Sequence, residues 1–201
     1  MTYTIVGLGN PGDEYKDTRH NTGRFALEAF RKEYGFPEWQ YDKKLKALIS
    51  KGFLLKVNGQ KPVVLILPET FMNKSGVSVG VVVKNLKQAE RLIVAHDDLD
   101  LPLGRLKVSF AKSSGGHRGV ESIIKILKTD KFIRLRVGIS PRTPKGVVKK
   151  PKGEKAVSDF ILGSWKPSEK TILKKISKVV TEALHAIVLE GKENAMSRFN
   201  S

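Results

Sequence analysis

Apolar residues in this chain form short uninterrupted runs and stripes with helical spacing, separated by polar and glycine-rich segments. The runs 63–67 and 92–95 contain no polar residue, which is typical of strands covered on both faces. Stripes with spacings of three and four residues predict a helix capped by Asn21 or Thr22, one that begins at Val120 and one that begins near Ile172. Further strands are predicted at 3–8, 45–57, 105–110 and 132–139.

Three connecting segments add to this picture. Asn58-Gly59 separates two strands and is a strong hairpin signal, so at least one strand pair is predicted to be antiparallel. Residues 75–86 are rich in valine, which favours a strand, but two buried parallel neighbours need a crossover, and we therefore predict a helix there. The Pro, Gly and Lys content of 140–155 predicts a mobile basic loop.

Strands and helices alternate along the chain, which is typical of α/β proteins. The length of 201 residues suits one ordinary domain, so 1–201 are predicted to form a single domain. The expected fold is a three-layer sandwich in which helices flank a mixed, mostly parallel, twisted sheet. The expected fold also includes the basic loop at 140–155 and a long C-terminal helix.

Positive charge is concentrated in one quarter of the chain. The net formal charge is +17, and residues 101–150 contribute 13 basic side chains against 2 acidic ones. Clustered Lys and Arg displace counterions from a phosphate backbone, so a nucleic acid is the expected partner. A basic surface that only aids solubility is the plainer alternative. An anionic membrane surface is disfavoured because the C-terminal helix lacks an exposed aromatic belt.

The sequence contains no cysteine. This excludes disulfides, thiolate nucleophiles and Cys-ligated metals, and it fits a reducing compartment. No apolar run is long enough to span a bilayer, and the N-terminal residues lack the pattern of a signal peptide. We therefore expect a cytoplasmic protein without membrane attachment.

The glycine loop after the first strand matches a dinucleotide-binding fingerprint, because Gly7, Gly9 and Gly12 follow G-x-G-x-x-G. In that fingerprint a helix starts inside the loop and meets the pyrophosphate. Here residues 11–13 interrupt any helix, and the acidic residue expected about 20 positions further on is missing. Nicotinamide or flavin binding is therefore disfavoured, and no cofactor is expected.

Histidines are the groups best suited to proton transfer near neutral pH in this chain. His185 belongs to the predicted C-terminal helix and is interpreted as structural. His20, His96 and His117 fall in loops beside strands, and such loops meet at the carboxyl edge of an α/β sheet. One of the carboxylates at 97, 98 and 100 could orient one of these histidines as a base. This acidic run could instead bind a metal, but ligands in a short turn diverge and no second His-rich element completes a shell, so a metal site is disfavoured.

Two amides and two aromatic rings complete the candidate chemistry. Asn10 and Asn73 follow buried strands, where an amide can donate and accept hydrogen bonds without adding charge. Each amide alone could be a turn residue that bonds its own backbone. Tyr15 and Phe71 could likewise belong to the core. Together the four residues predict the floor of a binding site.

The combination of these motifs resembles bacterial-type peptidyl-tRNA hydrolases, and the resemblance covers nearly the whole chain. It implies a monomeric α/β enzyme that cleaves the ester between a peptide and the 3′ ribose of tRNA, with no metal or organic cofactor. The segments that carry it are 7–12, Tyr15, 18–21, 70–76, 96–102, 115–117, 134–139 and 160–163.

The resemblance also implies roles for individual residues. His20 would be the general base that activates water, and Asp97 would hold the imidazole in the useful tautomer. Asn10 would distinguish N-blocked from free aminoacyl ends. Asn73 would position the substrate and support charge on the carbonyl oxygen.

The resemblance also implies contacts with tRNA. Tyr15 and Phe71 would line the tRNA end, where aromatic rings can stack on unpaired bases. Arg136 would grip a phosphate. The alternative from another class is a non-catalytic RNA-binding module of the same fold. It is disfavoured because His20 and Asp97 are both present.

Two positions depart from the family pattern. Arg118 stands where the family commonly has asparagine, and its guanidinium suits a phosphate but cannot accept a hydrogen bond. We expect Arg118 to contact tRNA. Ser109 stands where a lysine usually partners the Arg136 position, and Lys107, two residues back on the same strand face, could substitute for that lysine.

Overall fold

The computed structural model describes residues 2–57, 59–143 and 146–200. The strands in these ranges are β1 Tyr3–Gly7, β2 Gln40–Asp42, β3 Ala47–Lys56, β4 Gly59–Pro68, β5 Leu92–Pro102, β6 Leu106–Phe110 and β7 Ile133–Ser140. The helices are α1 Thr22–Glu33, α2 Ser75–Val82, α3 Leu86–Ala89, α4 Arg118–Leu127, α5 Glu154–Leu162, α6 Pro167–Leu189 and α7 Lys192–Phe199.

The seven strands form one mixed sheet in the order β2-β3-β4-β1-β5-β7-β6. The central strands β4, β1, β5 and β7 pair in parallel. The pairs at the two edges, β2–β3, β3–β4 and β6–β7, are antiparallel. The β3–β4 pair confirms the predicted hairpin, although Asn58 itself lies outside the described residues. Parallel pairs therefore occupy the centre of the sheet, where the candidate site residues follow the strands.

Helices cover both faces of the sheet and bury a core on each side. Ile5 of β1 packs with Leu27 of α1 and Leu184 of α6 on one face. Val6, the next residue of β1, packs with Val79 of α2 on the other face. This alternation explains why the central strands contain uninterrupted apolar runs. The predicted three-layer α/β sandwich is confirmed.

The valine-rich segment 75–86 contains helix α2, as the need for a crossover predicted. A Cβ on Gly76 would lie 2.2 Å from the backbone oxygen of Ser122 in α4, so this position has no room for a side chain. The close packing of α2 on α4 outweighs the local preference of valine for strands.

Several elements differ from the sequence predictions. Strand β5 continues to Pro102, so residues 96–100 lie on a strand and not in a loop. Helix α5 begins at Glu154, inside the predicted basic loop, because Phe160 and Ile161 pack against the core. The short elements β2, α3 and α7 were also not predicted. Among the described residues, no helix is long and apolar enough to cross a membrane.

Candidate active site

A tight helix-to-sheet contact brings His20 to the carboxyl edge of the sheet. His20 lies in the 3-10 turn Arg19–Asn21, directly before α1. Near the start of α1, a Cβ on Gly23 would lie 2.2 Å from the oxygen of Ala95 and 2.4 Å from the nitrogen of Leu8. Only glycine allows this approach to the ends of β1 and β5. The His20 turn is thereby held beside Asp97 on β5.

Arg19 fixes the same turn from its outer side. The side chain is buried, and its Nη1 donates to the carbonyl oxygen of Gly163 at 3.0 Å. Its Nη2 donates to Oε2 of Glu169 at 2.8 Å. The guanidinium also lies 4.5 Å from the ring centre of Phe160 and 5.0 Å from that of Trp165. The turn that carries His20 is therefore anchored to α5 and α6.

His20 and Asp97 form a buried hydrogen-bonded pair. Nδ1 of His20 lies 3.0 Å from Oδ1 and 3.1 Å from Oδ2 of Asp97. Burial raises the pKa of the Asp97 carboxyl, but the attraction of His20 and His117 outweighs this and holds the pKa well below its usual range. An ionised carboxylate accepts the Nδ1–H of His20, which leaves Nε2 with a lone pair suited to a general base.

His117 is a second histidine on the same carboxylate, and its role was not identified from the sequence. Its Nδ1 accepts hydrogen bonds from the backbone N–H groups of Gly119 at 3.1 Å and Val120 at 3.4 Å, and so caps helix α4. The proton must then reside on Nε2, which donates to Oδ1 of Asp97 at 3.0 Å. The position of His117 three residues before the predicted start of a helix was the available signal for this cap.

The cluster of His20, Asp97 and His117 also bears on metal binding. Their potential ligand atoms lie within 4.8 Å of one another. Two histidines from other segments thus join the acidic run, which the sequence argument against a metal shell did not foresee. A cation would have to replace the hydrogen bonds that both rings make to Asp97, so these residues are better suited to orienting a base than to holding a metal.

His96 lies beneath this cluster on β5, with 1% of its surface exposed. Its Nδ1–H donates to the backbone oxygen of Asp97 at 2.7 Å, and its ring packs edge-on against His117 at 4.7 Å. Its buried Nε2 has no hydrogen-bond partner among the described residues. Burial and the neighbouring His117 lower the pKa of His96 well below its usual value. The imidazole is therefore held neutral.

We expect His96 to weaken the fold as the pH falls below about 6.5. The pKa of His96 is lower in the folded chain than in the unfolded chain. As the pH falls, the unfolded chain therefore binds a proton at His96 that the folded chain does not bind. The free energy of unfolding should then fall by up to about 1.4 kcal/mol per pH unit from this residue alone. Urea unfolding across this range would measure it. His96→Asn should remove this part of the slope, whereas an equal slope in both proteins would contradict the assignment.

A cavity of about 840 Å³ opens above the histidine–aspartate pair. His20, Asp97, Asn10, Asn73 and Phe71 all line it, as the sequence predicted. Its basic lining residues are Lys107, Lys112, Arg118, Arg134, Arg136 and Lys150.

The predicted binding floor is only partly brought together. Tyr15 does not line the cavity but meets the exposed ring of Phe71 edge to face, with 6.5 Å between ring centres. Oδ1 of Asn10 accepts the backbone N–H of Met72 at 2.8 Å, so its Nδ2 is the group left to face the cavity. Asn73 follows Met72 and is exposed at the cavity wall.

Basic side chains line up across the strands beside the cavity. In the sheet register His96 pairs with Arg136, and Arg136 pairs with Lys107 on β6. Nε of Arg136 donates to Oδ2 of Asp98 at 2.6 Å. Burial and the positive charge of Arg136 lower the pKa of the adjacent Arg134. Positive charge is thus in excess at this wall, which favours an anion.

Arg118 lies at a different part of the cavity. Its Nη2 donates to Oε1 of Glu154 at 2.5 Å, and both side chains are exposed. Because the two residues begin α4 and α5 and both line the cavity, this ion pair joins two sides of its mouth. Arg118 therefore points to the cavity rim and makes no contact with the histidine–aspartate pair.

A histidine hydrogen-bonded to a carboxylate, at the carboxyl edge of an α/β sheet and beside a basic cleft, is the arrangement of a hydrolase site suited to a polyanion. The comparisons with known proteins make this class specific. The sequence profile of the family described as peptidyl-tRNA hydrolase matches residues 4–201. The chain belongs to the peptidyl-tRNA hydrolase family.

Individual relatives agree with this assignment. A peptidyl-tRNA hydrolase from Synechococcus sp. (strain JA-2-3B'a(2-13)) is 39% identical over 197 residues, which cover 98% of this chain and 82% of the relative. One from Herpetosiphon aurantiacus is 40% identical and covers 98% of this chain and 90% of its own. The crystal structure of the Acinetobacter baumannii enzyme matches with a TM-score of 0.83 at 30% identity, over all of this chain and 95% of that one.

Proposed function

We propose that this protein hydrolyses the ester bond of peptidyl-tRNA with His20 as the general base. Family membership makes the chain a hydrolase that acts on this ester. The observation that carries the role of His20 is the hydrogen bond from its Nδ1 to Asp97 at the floor of the basic cavity. The alternative of a non-catalytic RNA-binding module gains no support, because the pair needed for catalysis is present and hydrogen-bonded.

The proton path follows from the tautomers. Nε2 of His20 takes a proton from water as the water oxygen attacks the ester carbonyl, and the Asp97 carboxylate stabilises the imidazolium that forms. The same proton then passes to the 3′ oxygen of the ribose as the ester bond breaks. The products are a free peptide and a tRNA with its 3′ hydroxyl restored, and His20 returns to its starting form.

Two amides are proposed to recognise the acyl end. The Oδ1 of Asn10 is held by Met72, so Nδ2 is oriented to donate to the carbonyl of a blocked amino group. Asn73 would donate to the oxygen of the ester carbonyl as negative charge develops there. A free α-amine offers Asn10 no such carbonyl, and aminoacyl-tRNA would therefore be spared.

The tRNA itself is proposed to contact three parts of the cavity rim. The exposed ring of Phe71, with Tyr15 against its edge, offers a stacking surface for an unpaired base. Arg136 and Lys107 would share a phosphate, and their pairing in the sheet register supports Lys107 as the substitute for the lysine replaced by Ser109. Arg118 would contact a phosphate after leaving Glu154.

The function is tested by comparing N-acetyl-aminoacyl-tRNA with unblocked aminoacyl-tRNA. We expect much faster release of tRNA from the blocked substrate. Asn10→Ala should lower kcat/KM for the blocked substrate by roughly 10-fold or more, since a hydrogen bond realised in the transition state is lost. The unblocked rate should change little. Equal rates on both substrates in the unaltered protein would remove the role of Asn10.

The phosphate contacts are tested by the salt dependence of tRNA affinity. Lys107→Ala and Arg118→Asn should each weaken binding and reduce the slope of log K against log salt by about 1. Lys87→Ala is the matched control, because Lys87 lies on α3, before the amino end of β5 and away from the cavity. A variant whose salt slope equals that of the control makes no phosphate contact.

The chain is further proposed to act as a monomer in the cytoplasm, with residues 1–201 as one catalytic unit. The proposed compartment is supported by a cysteine-free composition suited to a reducing environment. Sedimentation with and without tRNA would measure the oligomeric state, and a stable dimer would contradict the proposed monomer.

A further inference from the structure

The backbone of Asn10 is held by a single side chain, that of Asn21. The backbone N–H of Asn10 donates to Oδ1 of Asn21 at 2.8 Å, and Nδ2 of Asn21 donates to the backbone oxygen of Asn10 at 2.9 Å. Both bonds are buried, and Asn21 has 4% of its surface exposed. One amide thus satisfies both backbone groups of residue 10, as a neighbouring strand would do.

This use of Asn21 differs from the predicted helix cap. Asn21 makes no capping hydrogen bond to α1, and the hydroxyl of Thr22 donates instead to the oxygen of Arg19. The amide of Asn21 is turned back onto the glycine loop. A Cβ on Gly9 would lie 2.8 Å from its Oδ1, so the glycine makes room for the amide. The loop motif and the histidine turn are therefore fitted to each other.

The side chain and the backbone of Asn10 are held by different partners. Oδ1 of Asn10 is held by Met72, and its backbone is held by Asn21, so both ends of the residue are constrained. Asn21 also follows His20 directly in the 3-10 turn. The separation between the base and the recognition amide is thus set by one rigid turn and one side chain.

We propose that Asn21 is a positioning residue for substrate discrimination, acting through Asn10. This inference rests on the proposed role of Asn10 in recognising a blocked amino end. Asn21 need not touch the substrate. Asn21 holds residue 10 at a fixed distance from His20. A blocked substrate can then place its ester beside the base only when the amide of Asn10 also contacts that substrate.

The experiment measures kcat/KM on N-acetyl-aminoacyl-tRNA and on unblocked aminoacyl-tRNA. Asn21→Ala removes both bonds to Asn10, and Asn21→Asp keeps the acceptor but sets a carboxylate against the oxygen of Asn10. The control is Asn85→Ala, which removes an asparagine that caps α3 away from the cavity. Thermal unfolding of each variant establishes that the protein tested is folded.

We expect Asn21→Ala to lower the ratio of blocked to unblocked kcat/KM by roughly tenfold, as two buried hydrogen bonds are lost. Asn21→Asp should lower the ratio by less, and Asn85→Ala should leave it unchanged. The double variant with Asn10→Ala should discriminate no worse than Asn10→Ala alone, because both changes act on one contact. A structural role alone would lower both rates together and keep the ratio.

The possible failures are distinguishable. If Asn10→Ala lowers the ratio but folded Asn21→Ala does not, the inference is overturned and the role of Asn10 stands. Should Asn21→Ala not fold, an unchanged ratio in Asn21→Asp has the same meaning. If Asn10→Ala leaves the ratio unchanged, the proposed recognition by Asn10 fails, and the inference falls with it.

Discussion

His20→Ala is expected to lower kcat for hydrolysis of N-acetyl-aminoacyl-tRNA by about 10²–10⁴-fold. The methyl side chain cannot remove a proton from water, whereas the cavity and its basic wall remain. Affinity for tRNA should therefore stay close to that of the unaltered protein. Single-turnover hydrolysis and equilibrium binding to tRNA would measure the two effects separately.

His185→Ala is the matched control for this change. The ring of His185 stacks on Tyr34 between α6 and α1, with 4.9 Å between ring centres, and does not line the cavity. Its loss should leave kcat unchanged. A His20 variant that turns over at the normal rate would exclude His20 as the base, whatever its effect on stability.

Asp97→Asn is expected to reduce kcat by roughly 10³-fold or more, although the amide has nearly the shape of the carboxylate. His117 must present a proton at Nε2, because its Nδ1 accepts from the start of α4. The oxygen of the new amide is therefore held at the Oδ1 position by His117, and its NH₂ group takes the Oδ2 position, 3.1 Å from Nδ1 of His20, where it opposes a proton on that nitrogen. This favours the tautomer of His20 that carries its proton on Nε2 and cannot act as a base.

The role of His117 in setting the tautomer of His20 can be tested with a second substitution. His117→Asn supplies a good helix cap on a shorter side chain, which frees the amide at position 97 to turn its oxygen towards His20. The double variant His117→Asn with Asp97→Asn should recover part of the lost kcat. If the wrong tautomer of His20 is the main defect, its kcat should be about tenfold higher than that of Asp97→Asn alone. A double variant slower than Asp97→Asn alone would show that His117 does not set the tautomer.

The sequence was sufficient for the architecture, and for the edge of the sheet at which the candidate residues gather, because those features depend on strand order. Apolar runs such as 63–67 predicted central strands, and the parallel strands in turn predicted that the segments carrying His20, His96 and His117 would meet, whereas the pairing of His20 with Asp97 was implied by the family resemblance. Helix α2 was identified against the local preference of valine because a crossover was required. These inferences rest on connectivity, which a single sequence reveals well.

Contacts between distant segments were not predictable in the same way. The bonds from Arg19 to the end of α5 and to Glu169 span about 140 to 150 positions of the chain. The helix cap formed by His117 and the two hydrogen bonds between Asn21 and the backbone of Asn10 depend on the orientations of a ring and an amide. These orientations arise only after packing. The length of β5 was underestimated because charged residues at 97, 98 and 100 hide a strand that continues beside β7.

With His20 as the proposed base, the anchoring of Arg19 links the C-terminal third of the chain to catalysis. Every polar group assigned to proton transfer lies before residue 120, yet the turn that carries the base is secured by the oxygen of Gly163, by Glu169 and by two aromatic rings. A shortened chain that retained all the reacting groups but ended before α5 would leave a buried guanidinium without these partners. The smallest active fragment is therefore much longer than the span of its chemical residues.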